Sequence, residues 1–287
     1  MTEPISAAAP GDISGLLERQ KLDLPGVENA RQLGGYIVAD GRRVKQNLLL
    51  RTAGLDKATD ETIKQLSEKY RVCYVADFRM PPEAALAPDR AIPGAKYVRI
   101  ELMEIDASSP ESREAAEKIR AAGNDNIGKL IEYAKTGSLS GLYSGILLSD
   151  TGQRGFAQFF RLLLGSGGGA VLWHCSFGKD RTGLAAALLL YALGADDETV
   201  MRDFLLTNEV LKDKISFLKE EMKRRRCSVE VRSEAEAIAG VKGEYLSSAL
   251  GKLREEYGSV LGYIHRLGVT DENIAELRKM YLEEVTQ

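Results

Sequence analysis

Apolar and polar positions follow two rhythms along this chain. Short unbroken apolar runs at Leu48–Arg51, Val72–Phe78, Tyr97–Glu101 and Gly169–His174 are bounded by glycine or charged residues. They are too short for helices and rich in branched side chains, which predicts strands buried on both faces. A further strand is expected at Tyr36–Ala39, after the Gly34-Gly35 turn. Elsewhere apolar residues return every three or four positions, the helical period. This predicts a helix over Ala58–Tyr70, with Ile63 and Leu66 inward and Thr59 capping towards Thr62. A second helix, Gly155–Leu164, carries Phe156, Phe159, Phe160 and Leu163 on one face. The run Leu184–Leu193 is apolar all round and reads as a buried helix.

Past it the pattern is helical to the end. Asp197 is expected to cap a helix through Leu206; Leu211, Ile215, Leu218 and Met222 mark another; Glu244–Tyr257 and Asp271–Glu284 close the chain. Strands alternating with helices give an α/β fold, a central sheet flanked by helices, in a single domain over residues 21–287 with a helical C-terminal region from 197. Residues 1–20 read as a flexible tail without the basic flank and apolar stretch of a signal peptide. That leaves a cytoplasmic and an exported location both open. Residues 106–150 interrupt the pattern with poorly amphipathic helices at Ser112–Ala122 and Ile127–Ala134, read equally as a lid over a site or as a solvated insertion.

Composition narrows the function. With 287 residues and 44% hydrophobic content there is ample material for a core. A net charge of −3 disfavours a general nucleic-acid binder. The three cysteines, Cys73, Cys175 and Cys227, have neither disulfide-framework nor metal spacing. Only His174 and His265 could add imidazole ligands, so no metal site is expected. Cys73 reads as a small core residue and His265 as a packed or surface one. No apolar run approaches the roughly 18 residues needed to span a membrane. Lys223-Arg224-Arg225-Arg226 reads as a solvated helix end, with peripheral contact to an acidic membrane as the less favoured alternative.

The chemistry concentrates between Gly169 and Gly183, GAVLWHCSFGKDRTG. A strand, a tight loop and a helix start turn several backbone N–H groups and the positive end of a helix dipole towards one point, which is an anion site. Cys175 opens this loop, and the field that holds a phosphate also favours a thiolate. Arg181 offers a planar, permanently charged fork for phosphate oxygens, Lys179 a second cation, and Asp180 a proton donor for a leaving oxygen.

His174-Cys175-Ser176-Phe177-Gly178-Lys179-Asp180-Arg181-Thr182-Gly183 resembles the signature of the atypical bacterial tyrosine and phosphoinositide phosphatases, which are cysteine-dependent. Asn29-Ala30-Arg31-Gln32-Leu33-Gly34-Gly35 matches the family's Asn-x-Arg-x-Leu-Gly-Gly segment, read here as tying the N-terminal segment to the active-site region. Asp77-Phe78-Arg79, followed by Glu83, resembles its Asp-Leu-Arg segment. The resemblance implies a protein-tyrosine-phosphatase-like fold and a metal-free hydrolysis with no cofactor. Cys175 would be the nucleophile, Arg181 the phosphate clamp and Asp180 the acid, with Asp77 as the other candidate acid. Ser176, Phe177, Gly178, Lys179 and Thr182 would line the substrate site, Thr182 helping the sulfur to leave. Asp77 and Arg79 would either join that site or pair with each other to close a strand end.

The expected partners are a phosphorylated protein or a phosphoinositide, Lys179 leaning towards the latter. An inositol polyphosphate phosphatase, a non-catalytic phosphate-binding module and a sulfur-transfer enzyme are the alternatives. The last has no use for Asp180 as a proton donor.

Overall fold

The apolar runs line up as the parallel part of a five-stranded sheet in a computed structural model that describes residues 13–104, 128, 131, 134 and 141–285. Its strands are β1 (Arg31–Gln32), β3 (Leu49–Thr52), β4 (Val72–Asp77), β5 (Lys96–Arg99) and β6 (Ala170–His174), in the spatial order β1-β3-β6-β4-β5. β1 runs antiparallel to β3 at one edge, and the other four strands are parallel. β2 (Arg43–Val44) and β7 (Leu282–Glu283) form a separate antiparallel pair that ties the C-terminal end to the N-terminal part. Every residue of the central β6 is buried, as expected for a strand covered on both faces.

Two cores flank the sheet. On one face Leu50, Val75 and Leu172 pack with Leu22, Leu55, Leu66 and Tyr70. On the other, Leu49, Ala76, Val171 and Trp173 meet the larger helical core. The helices are α1 (Ile13–Gln20), α2 (Asp60–Lys64, extended by a π turn over Gln65–Lys69), α3 (Pro81–Leu86), α4 (Leu142–Leu148), α5 (Asp150–Gly165), α6 (Asp180–Leu193), α7 (Asp197–Val210), α8 (Lys212–Arg224), α9 (Val229–Ala239), α10 (Gly243–Tyr257), α11 (Val260–Arg266) and α12 (Asp271–Tyr281). All residues of α6 from Thr182 to Leu193 are buried because it lies between the sheet and α7, α11 and α12. Each fully buried leucine there stabilises the fold by about 1.5–3 kcal/mol.

Several expectations need correction. The tail expected over 1–20 is helical in its described part; Leu16 packs on the main core and Gln20, one turn later on the same face, is buried. Residues 36–39 form no strand, only a bridge from Ile37 to Arg43 around a turn in which Gly41 N–H donates to the Val38 carbonyl. The chain turns back too soon for a ladder. The Asn29–Gly35 segment, for which no strand was expected, contributes the edge strand β1. The cap of α7 is Asp196, whose side chain accepts from the Thr199 N–H, while Asp197 accepts from Tyr191 and Arg254. Helix α9 is absent from the sequence reading because its inward face is built of small residues, Ala235 and Ala237, that give a faint apolar stripe.

Within the insertion, the helix expected at 112–122 lies outside the described residues. Gly128, Ile131 and Ala134 are helical, and Ile131 and Ala134 are buried against Leu218, Met222 and Ala235 of α8 and α9. This part is therefore better buried than its pattern suggested. The basic run at 223–226 is largely paired within its own helix end, Lys223 with Glu220 and Arg224 and Arg225 with Glu221. No helix of the described residues is long and apolar enough to cross a membrane.

Candidate active site

The parallel strands end level with one another: Thr52 and Asp77 are both in register with His174, so the turn after β6 emerges at the carboxyl edge of the sheet. Helix α6 begins at Asp180, four residues before the apolar run at Leu184, which puts Arg181 and Thr182 in its first turn. Cys175 and the helix start are thus joined by a tight loop. The loop is possible because of Gly178, which has φ +65°; a side chain there would also meet the Thr52 carbonyl, 2.4 Å from where its Cβ would lie. Cys175 is buried, Phe177 stands out at 62% exposure, and Ser176, Asp180 and Arg181 are half-buried.

Arg181 is held from outside the loop. Its Nη1 donates to Glu83 Oε2 at 2.7 Å and to the Phe78 carbonyl at 3.0 Å, and its Nη2 donates to Glu83 Oε1 at 2.7 Å. Ser176 Oγ donates to the same Glu83 Oε1 at 2.6 Å. Glu83 therefore takes the end-on edge of the guanidinium and leaves the edge formed by Nε and Nη2 for an anion. Burial alone would raise the Glu83 carboxyl, but Arg181 and Ser176 carry it down to about 2. Burial likewise works against the Arg181 charge, and Glu83 and Cys175 raise it above its ordinary range.

Asp180 Oδ1 accepts a 2.6 Å hydrogen bond from the fully buried Tyr143 hydroxyl. Burial first, and then Asp180, push that phenol well above its usual value, so it stays a donor. A cysteine, an arginine and an aspartate are thus gathered on one turn at the start of α6. The chain matches the tyrosine phosphatase family over residues 22–283. It belongs to that family. Among its relatives, the triple specificity protein phosphatase PtpB of Mycobacterium tuberculosis is 28% identical, with 91% of this chain and 98% of that protein covered. A tyrosine-protein phosphatase of Nostoc commune is 24% identical, with 82% and 74% covered. The chain is accordingly a tyrosine or dual-specificity phosphatase.

Lys179 of this phosphatase points away from where the sequence reading put it. It is buried, and its ammonium donates to the Ile238 and Gly240 carbonyls, the latter at 3.1 Å, at the C-terminal end of α9. The negative end of that helix is a natural seat for a cation. Asp180 Oδ2 lies 3.4 Å from the same ammonium. The loop is thereby connected to α9 and, through it, to the described part of the insertion.

Asp77 and Arg79 pair with each other. Arg79 Nε and Nη2 each donate to Asp77 at 2.9 Å, and Nη2 also reaches Asp89 Oδ2 at 2.6 Å. His174 Nε2 is 3.1 Å from Asp89 and its Nδ1 3.9 Å from Asp77. Asp77, Asp89 and His174 have the composition of a metal site, but the Arg79 guanidinium already supplies the cation between the two carboxylates. Of the residues missed from sequence, Glu83 carried a signal in its position just past the Asp77–Arg79 segment. Tyr143 carried none, since it lies in the insertion, 37 positions from Asp180.

Glu83 also makes stability depend on pH. Its carboxyl is lower in the folded protein than in the unfolded chain, where it titrates near the ordinary 4.5. The Glu83–Arg181 contribution is therefore fully present above the unfolded value and is lost as pH falls from there through about 2. Urea unfolding should show Glu83→Gln less stable than wild type at pH 7, with the gap narrowing steadily between pH 4 and pH 3. A constant gap would assign the Glu83 contribution to shape instead of charge.

Proposed function

We propose that this phosphatase hydrolyses phosphomonoesters through a phosphocysteine. The Cys175 thiolate attacks phosphorus; the bond to the leaving oxygen breaks, and that oxygen takes the proton of the Asp180 carboxyl. A water then attacks the phosphocysteine and gives its proton to Asp180; the sulfur–phosphorus bond breaks and inorganic phosphate leaves. Arg181 and the loop amides hold the three non-bridging oxygens throughout. Thr182, whose buried hydroxyl has no hydrogen-bond partner among the described residues, helps to take up charge on the departing sulfur. The observation that carries this reading is the turn itself, with Cys175, Asp180 and Arg181 around one helix start and Arg181 aimed by Glu83.

Asp180 is the better acid. Both carboxylate oxygens of Asp77 are engaged by the Arg79 fork, whereas Asp180 is half-buried at the loop, accepts a hydrogen bond from the neutral Tyr143 and has the Lys179 ammonium 3.4 Å from its other oxygen. Asp180→Asn should lower turnover of a poor leaving group by about 10²–10⁴-fold and leave a good one nearly unaffected. Equal losses on both, read from phosphate release across pH 4 to 8, would move the acid elsewhere.

Phosphotyrosine stands first among the substrates. Lys179, the cation that favoured polyphosphorylated ligands, is committed to α9, so a second phosphate would have to compete with two helix-end carbonyls. Phosphoinositides stand second, on the resemblance of the loop to the signature of the atypical tyrosine and phosphoinositide phosphatases. Phosphate release from a phosphotyrosine peptide, a phosphoserine peptide, phosphoinositides and inositol hexakisphosphate tests the order. Preference for either of the last two would mean that Lys179 leaves α9 to bind them, and turnover of none would refute the proposal.

A further inference from the structure

The underside of the loop carries a buried charged network that the mechanism above does not use. Asn29 is buried in the left-handed backbone region at φ +52°, which asparagine and aspartate tolerate better than other side chains. Its Nδ2 donates to the Gly178 carbonyl at 2.8 Å and to the Phe177 carbonyl at 3.2 Å. Arg51, fully buried on β3, donates from Nη2 to the same Gly178 carbonyl at 3.1 Å and from Nη1 to Asp203. Arg31, also fully buried, donates to Asn29 Oδ1, to the Asp203 carbonyl and to Thr207 Oγ1, which fixes which end of the Asn29 amide faces the loop.

The peptide plane turns this into a statement about the opposite face. In a trans peptide the carbonyl of one residue and the N–H of the next point in opposite directions. Pinning the Phe177 and Gly178 carbonyls downward onto Asn29 and Arg51 therefore aims the Gly178 and Lys179 amides upward. Among the described residues, neither amide donates to a backbone carbonyl. The network also places two guanidiniums against one carboxylate, so it leaves an excess positive charge buried beneath the loop.

We propose that Asn29 and Arg51 are positioning residues of the phosphatase loop: by donating to the Phe177 and Gly178 carbonyls they aim the Gly178 and Lys179 amides at the bound oxyanion. This rests on the reading of the loop as the phosphate cradle. The network belongs to three distant parts of the chain, Asn29 and Arg31 before and on β1, Arg51 on β3 and Asp203 on α7, brought together only under this turn.

The test needs no turnover. Tungstate affinity is measured by calorimetry on Cys175→Ser alone and combined with Asn29→Asp or Asn29→Ala, with circular dichroism and Tm recorded for each. Aspartate keeps the backbone preference and the contact with Arg31 but turns a donor into a carboxylate facing two carbonyls. The expected result is binding about tenfold weaker or worse in the Asn29→Asp protein, and a smaller loss in the Asn29→Ala protein. A merely structural role would instead make the loss follow Tm. Tungstate affinity unchanged in a folded Asn29→Asp protein overturns the proposal while leaving the cradle intact. Absence of binding by Cys175→Ser itself removes the cradle and the proposal together. If Asn29→Asp does not fold, Arg51→Lys, which keeps the charge but loses the fork, serves the same comparison, and unchanged affinity there overturns the role of Arg51.

Discussion

Phosphate release by Cys175→Ser is expected to fall at least about a thousandfold on every substrate that the wild type turns over. The serine hydroxyl is nearly the same size, so the loop, the Glu83–Arg181 pair and the Tyr143–Asp180 contact should all persist. What disappears is the nucleophile, because a hydroxyl in this loop has no free base beside it among the described residues to take its proton. Asp180 must enter the first step protonated, and His174 lies against Asp77 and Asp89. Steady-state kinetics beside an unchanged circular dichroism spectrum would separate loss of chemistry from loss of fold. Turnover within tenfold of wild type would rule out the phosphocysteine.

The second large effect is on stability. Among the described residues, Asp203 is the one carboxylate facing Arg31 and Arg51 in their buried network, and it also accepts from the Tyr36 hydroxyl at 3.2 Å. Burial, and then Arg51 beside it, pull Arg31 down to about 9, the mark of a cation short of counter-charge. Asp203→Ala strips the remaining anion from two fully buried guanidiniums and should cost about 3–5 kcal/mol. That is a large share of the roughly 5–15 kcal/mol that holds a domain together. Asp203→Asn, which keeps an acceptor for Tyr36, should lose less. Urea midpoints in the order wild type, Asn, Ala would assign the first step to the lost charge and the second to the lost acceptor; equal midpoints for all three would show that the network carries none of the stability.

The strands and the buried helix were legible because burial on both faces leaves an unmistakable run of apolar residues, as in VCYVADF and LAAALLLYAL. The loop was legible because its residues are neighbours in the chain, so that Cys175, Asp180 and Arg181 reach one point by a single turn of backbone. Elements held by small or polar contacts were not. Helix α9 shows little periodicity because alanine marks an inward face only faintly, and β1 is two residues long, Arg31 and Gln32. The strand expected at Tyr36–Ala39 failed for the opposite reason: its composition is suitable, but no neighbouring strand is long enough to pair with it.

Sequence alone thus determined the four parallel strands and the family and singled out the three residues of the proposed chemistry, all of which depend on local pattern or on one contiguous motif. Only the tertiary structure decided the direction of Lys179, which the signature suggested should face substrate and which instead sits on the carbonyl end of α9, some 60 residues away. It likewise decided that Glu83 aims Arg181, that Tyr143 holds Asp180, and that Asn29 and Arg51 lie beneath Gly178. The physical reason is common to all four. A long polar side chain at a turn can reach several partners, and the one it takes depends on which distant carbonyl or carboxylate the folded chain brings within about 3 Å.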